Sequence, residues 1–114
     1  MDSFVVPRLW SSAQHEALLA LCRQYHVARL WLFGSAVTEH FDPARSDFDF
    51  VVERQPELEA QQPRLLHFQL QLEDLFGRAV DLVTVLPIRN PYLRQEVEET
   101  QRLIYDAARQ EIPV

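Results

Sequence analysis

Three aspartates and one Gly-Ser pair are the residues of this 114-residue chain whose types and spacing could do chemistry. Asp47 and Asp49 alternate with Phe48 and Phe50, while Asp81 stands alone among Val80, Leu82 and Val83. Carboxylates gathered in a partly dry cleft repel one another, so clustering them makes sense when a divalent cation offsets their charge. Magnesium favours carboxylate oxygens and substrate phosphates in an octahedral shell. Asp47, Asp49 and Asp81 are therefore the candidate metal ligands and catalytic carboxylates. Gly34 has no Cβ and Ser35 adds a hydroxyl, so a tight turn there could bring backbone amides close to a phosphate. Spacing alone leaves the plainer reading open: Gly-Ser pairs are common turns, and Asp-x-Asp can be one solvated face of a strand.

Strands are needed to hold these groups. From Asp47 to Glu53 a period of two puts Asp47, Asp49 and Val51 on one face and Phe48, Phe50 and Val52 on the other. Both carboxylates are then held together while both rings enter a core. Val27 to Phe33 is a nearly continuous apolar run broken at once by Gly34-Ser35, which predicts a strand buried on both faces. Ala36 to Arg45 has no sustained period and could include one helical turn near Ala36. Arg78 to Val85 predicts a third strand, in which Asp81 must face solvent, be paired or serve chemistry.

Helices alternate with these strands. Ser12 to Gln24 carries an apolar side of Leu18, Leu19, Leu21 and Cys22, and Ser11 with Gln14 has the spacing of a capping box. Leu65, Leu66, Phe68, Leu72, Leu75 and Phe76 recur at helical spacing between Pro63 and Gly77. Pro91 to Thr100 predicts a short helix and Leu103-Ile104-Tyr105 an edge strand, with Gln110 to Val114 expected to fray.

With 47% apolar and 25% charged residues, the length fits a single domain over residues 1–114. The formal net charge is -6 and all 11 basic residues are arginine, which argues against autonomous binding to a nucleic-acid backbone. Arg89, Arg94 and Arg102 could still meet a phosphate if they converge, although a solvated arginine-rich end is the plainer reading. The one cysteine, Cys22, reads as a buried small hydrophobe. His15, His26, His40 and His67 have no compact zinc spacing, and only His40 lies near the proposed loop. Trp31 is expected in the sheet core, whereas Trp10 could cap the domain or meet another subunit. No window approaches the ~20 apolar residues of a membrane span, so a cytoplasmic protein is expected.

Phe33-Gly34-Ser35 through Ser46-Asp47-Phe48-Asp49 resembles the signature of the polymerase-beta-like nucleotidyltransferase superfamily. The fit is nearest its minimal, single-domain bacterial branch, often encoded as the antitoxin beside a HEPN toxin. The resemblance spans nearly the whole chain, since Asn90-Pro91 and Leu103-Ile104-Tyr105 look like the family's closing helix and strand. It implies the nucleotidyltransferase fold, an α/β (α+β) arrangement of a small mixed β-sheet flanked by helices. It implies that Gly34 and Ser35 hold triphosphate, with Ser46 beside them in the signature, that Asp47 and Asp49 bind Mg2+, and that Asp81 is the third carboxylate. One departure stands out. Many members follow the Gly-Ser pair with a small residue, an arginine and a second glycine, where this chain has Ala36-Val37-Thr38-Glu39-His40. Arg45 could supply the missing positive charge.

For the toxin-paired branch, resemblance implies magnesium-dependent transfer of AMP from ATP to a tyrosine hydroxyl of the HEPN toxin. A free aspartate titrates at ~3.9, too low to be a strong base for such a hydroxyl, so activation by metal must dominate. The chain could assemble with itself or with that partner. The alternative reading is a noncatalytic antitoxin that inhibits its partner by stable contact, with the Gly-Ser turn and the acidic cluster as surface features.

Overall fold

The structure, a computed structural model, describes residues 9–38, 47–55, 65–84 and 88–110. Helix α1 (Ser12–Gln24) begins with the capping box that the spacing predicts: the Ser11 hydroxyl accepts from the Gln14 amide at 3.0 Å, and the Gln14 side chain accepts from the Ser11 amide at 2.8 Å. These two bonds satisfy amides that the first turn cannot pair internally. His26, in the left-handed region at φ 58°, turns the chain into strand β1 (Val27–Phe33). A 3-10 turn over Gly34–Val37 ends that strand, the single helical turn that the sequence allows.

Strand β2 (Phe48–Arg54) starts one residue later than its alternating pattern suggests, leaving Asp47 exposed just ahead of it. Helix α2 (Leu65–Phe76), strand β3 (Val80–Thr84), helix α3 (Pro91–Thr100) and strand β4 (Arg102–Asp106) follow. Asn90 caps α3 by accepting from the Tyr92 and Leu93 amides at 2.9 and 3.2 Å. A four-residue helix α4 (Ala107–Gln110) follows, an element the sequence does not predict; Asp106 starts it by accepting from the Ala108 amide at 3.0 Å, and of the stretch expected to fray, Gln110 closes this helix while residues 111–114 lie outside the described residues.

The strands lie in the order β3-β2-β1-β4. β1 is antiparallel to β2 and β4, whereas β2 and β3 are parallel, so the sheet is mixed as expected. Helices α1 and α2 cover one face, where Leu18, Cys22, Leu30, Leu32, Phe48, Phe50, Phe68 and Leu72 form the larger core. Trp10 closes that core, its ring 5.4 Å from Phe48 and 4.7 Å from Phe76. The cap, one of its two expected roles, is the one this chain shows.

The other face carries a smaller cluster of Phe33, Val51 and Val97 beneath α3. Because α3 covers mainly the Phe33 end, β1 is not buried on both faces throughout. Arg29 is exposed and Trp31 only partly buried, which corrects the expectation of a core tryptophan; the Arg29 guanidinium sits 5.5 Å from the Trp31 ring. Leu66, read as part of the apolar helical pattern, is 63% exposed and points away from the core that Phe68 and Leu72 enter. Cys22 is fully buried among apolar side chains, and burial pushes its thiol well above the usual range. Among the described residues no helix is long and apolar enough to cross a membrane.

Candidate functional site

The alternation in β2 decides which way its carboxylate points. Phe48 and Phe50 are 1% and 0% exposed in the larger core, so Asp49 must emerge on the opposite face. Parallel pairing places Asp49 directly beside Asp81 of β3, and antiparallel pairing places it beside Phe33, the residue before Gly34. Three distant stretches of chain thus meet at the Asp49 position.

Asp81 lies exposed on β3, which among the described residues is an edge strand with β2 on one side only. Helix α2 supplies partners one residue earlier. Gln69 Nε2 donates to the Val80 carbonyl at 2.6 Å, and the Val80 amide donates to Glu73 Oε2 at 3.1 Å. Gln69 and Glu73 stand four apart on one helical face, so a single turn of α2 fixes the peptide that carries Asp81.

Gly34 is buried with φ +80°, a conformation that side-chain-bearing residues rarely adopt. A Cβ there would sit 2.9 Å from Asp49 Oδ2 and 3.4 Å from Glu96 Oε2. Glycine therefore lets the carboxylate of Asp49 approach the backbone of the turn. The Gly34 amide donates to Thr100 Oγ1 at 2.8 Å, and the Thr100 hydroxyl donates to the Glu96 carbonyl at 2.7 Å. Thr38 closes the turn by donating its amide and its hydroxyl to the Ser35 carbonyl, each at 3.0 Å.

Burial, the facing Asp81 carboxylate with a hydrogen bond shared between the two, and the charges of Glu96 and Asp47 push the Asp49 carboxyl up to about 7. Close to neutrality, then, Asp49 holds a proton that an added cation would displace.

Residues 15–104 match the nucleotidyltransferase domain family. The chain belongs to that family. A Methanocaldococcus jannaschii protein provisionally named a protein adenylyltransferase is 32% identical over 92 residues, covering 81% of this chain and 87% of its own. A crystal structure of a toxin-antitoxin with AMP-PNP matches with a TM-score of 0.62 at 20% identity, over 84% of this chain and 76% of the other. The complex of the tri-AMPylated Shewanella oneidensis HEPN toxin with its MNT antitoxin matches with a TM-score of 0.54 at 17% identity, over 87% and 75%. These two likenesses establish the fold.

In this nucleotidyltransferase the acidic donors suit a hard cation: all are carboxylates, and the close pair bears mutual repulsion that a divalent ion would relieve. Among the described residues no three acidic, histidine or cysteine side chains form a closed metal-binding group. Asp49 and Asp81 stand side by side on neighbouring strands, Asp47 lies just ahead of β2, and Gly34 and Ser35 begin the turn after β1, whereas Arg45 and Ser46, and with them His40, fall outside the described residues. The Arg102 guanidinium is turned back onto the Thr100 and Gln101 carbonyls at 3.0 and 3.1 Å. Sequence reasoning missed Glu96, Thr100, Gln69 and Glu73. Their i, i+4 spacing was visible, but nothing local says which sheet edge either helix meets.

Proposed function

We propose that this nucleotidyltransferase moves AMP from ATP to a tyrosine hydroxyl of a cognate HEPN toxin, acting as its antitoxin. The observation that carries this reading is the junction at Asp49: beside Asp81 in parallel register, and against a glycine that makes room for its carboxylate. Two similar structures support the substrates: the toxin-antitoxin with AMP-PNP, and the tri-AMPylated HEPN toxin in complex with its MNT antitoxin. The M. jannaschii relative, named for protein adenylylation, agrees.

Asp47, Asp49 and Asp81 would hold magnesium, which supplies charge neutralisation on the phosphates and a lowered pKa for the incoming hydroxyl. The turn at Gly34 and Ser35 grips the polyphosphate tail, leaving the α-phosphorus facing the carboxylates. The acceptor oxygen forms its bond to that phosphorus as the bond to the β-phosphate bridging oxygen breaks, and pyrophosphate departs. The hydroxyl proton passes toward the Asp81 carboxylate, which α2 holds in place through Val80. A neutral phenol thereby becomes an anionic phosphodiester, which would repel the RNA backbone near a ribonuclease site.

Incubating the chain with a candidate cognate HEPN toxin, labelled ATP and magnesium tests the reading. Label should join a tyrosine of the partner covalently, and Asp47→Ala and Asp49→Ala should each abolish it. Tight inhibition of the partner with no label would establish the contact-only antitoxin instead.

A further inference from the structure

Thr100 is the last residue of α3, 66 positions from the glycine whose amide it accepts. A hydroxyl has one hydrogen, and Thr100 commits it to the Glu96 carbonyl at 2.7 Å, so its acceptor side is fixed toward Gly34. The bonds from Thr38 to the Ser35 carbonyl are internal to the turn and close it. The Thr100 bond is different in kind, because it ties the turn to a helix. That helix is seated on the sheet by Val97 over Phe33 and Val51, and it presents the Glu96 carboxylate at the rim of the same turn. Glu96, Thr100 and the buried Val97 lie on adjoining stripes of α3, so seating the helix places the clamp.

We propose that Thr100 is a positioning residue of the nucleotide site. Its hydroxyl fastens the Gly34-Ser35 turn to α3 and so sets how the turn stands against the Asp49 and Glu96 carboxylates, where nucleotide phosphates would approach. Without the clamp the turn stays closed but shifts relative to the carboxylates, and the phosphate grip loosens equally in the ground state and the transition state. This inference rests on the nucleotide-transfer reading above.

The test compares wild type, Thr100→Val and Thr100→Ser, with AMP-PNP and magnesium titrated by calorimetry and transfer followed kinetically. Losing the one hydrogen bond that ties the turn to α3 should weaken Thr100→Val binding roughly 5- to 10-fold. KM for ATP should rise by a similar factor while kcat changes less than about twofold, the pattern of a lost uniform binding interaction. Thr100→Ser, which keeps the hydroxyl, should restore both. The chain has two glycines, so glycine-selective amide NMR gives Gly34 a readily assigned signal, expected to move in Thr100→Val and to hold in Thr100→Ser. Melting curves verify folding, and Thr100→Ala replaces the valine variant if that one does not fold.

Thr100→Val binding as tightly as wild type would overturn the proposal. Tighter binding would overturn it too, since it would mean that a phosphate competes with the hydroxyl for the Gly34 amide. A wild-type chain that fails to bind AMP-PNP with magnesium at all would defeat the transfer reading beneath it, whatever the Thr100 variants do.

Discussion

Asp49 is held where its charge is costly, and the cost has a definite pH dependence. Its folded-state pKa, about 7, lies above the ordinary value of ~3.9 for an unfolded aspartate. Between those values the folded chain binds more protons than the unfolded chain, so this residue's contribution to stability falls as pH rises from about 4 to 7 and is flat above. Asp49→Asn keeps the shape and removes the charge. The metal-free variant should be more stable than wild type at pH 8, by about 1 to 2 kcal/mol once solvent screening of this half-buried group is allowed for. That gap should appear as a melting point raised by about 4 to 8 °C or more, closing as the pH approaches 4. The same substitution should abolish transfer. Melting curves at pH 8 and pH 4 check the sign, and a variant less stable than wild type at pH 8 would contradict it.

At the scale of elements, α1 and α2 do different work, and one hydrogen bond on each can separate stability from activity. Ser11→Ala removes a cap remote from the site and should cost about 1 kcal/mol of stability with no change in transfer per folded molecule. Glu73→Ala should cost a similar amount, because it leaves the Val80 amide without its 3.1 Å partner. Unlike the cap variant, it should also lower kcat, since it loosens the peptide before Asp81; Glu73→Gln, which keeps an acceptor oxygen, should recover most of the loss. Equal kcat in the two alanine variants would refute the anchoring role of α2. The contrast also marks how far the sequence could be read. The capping box, the facing of Phe48 and Phe50 against Asp49, and the Gly-Ser turn are local patterns, set by residues within a few positions of one another, and all were legible. The neighbours of the site were not, because Thr100 meets Gly34 across 66 positions and Gln69 meets Val80 across 11. Trp31 was misplaced for the same reason: an apolar run shows that a strand has something to bury, but not how much of each face a short helix will cover.

Across the whole molecule, charge couples the ligands. The chain carries a net -6, and its site gathers Asp47, Asp49, Asp81 and Glu96 where an anionic triphosphate would bind. On the proposed function, a nucleotide alone would meet repulsion there, and a cation alone would lack the phosphate oxygens that complete its shell. Each should therefore raise the affinity of the other by the same factor, because coupling between binding sites is reciprocal; a coupling of about 1 to 3 kcal/mol corresponds to roughly 5- to 150-fold. Magnesium must also displace the proton held near Asp49. Its affinity should therefore weaken by about tenfold per unit as pH drops below 7, and level off above that value. Calorimetric titration of AMP-PNP with magnesium, and again with a chelator in its place, measures the coupling, and repetition at pH 6 and pH 8 measures the proton release. The thermal shift with both ligands present should exceed the sum of the separate shifts. AMP-PNP bound equally well in chelator, at both pH values, would mean that the carboxylates and the Gly34-Ser35 turn act independently.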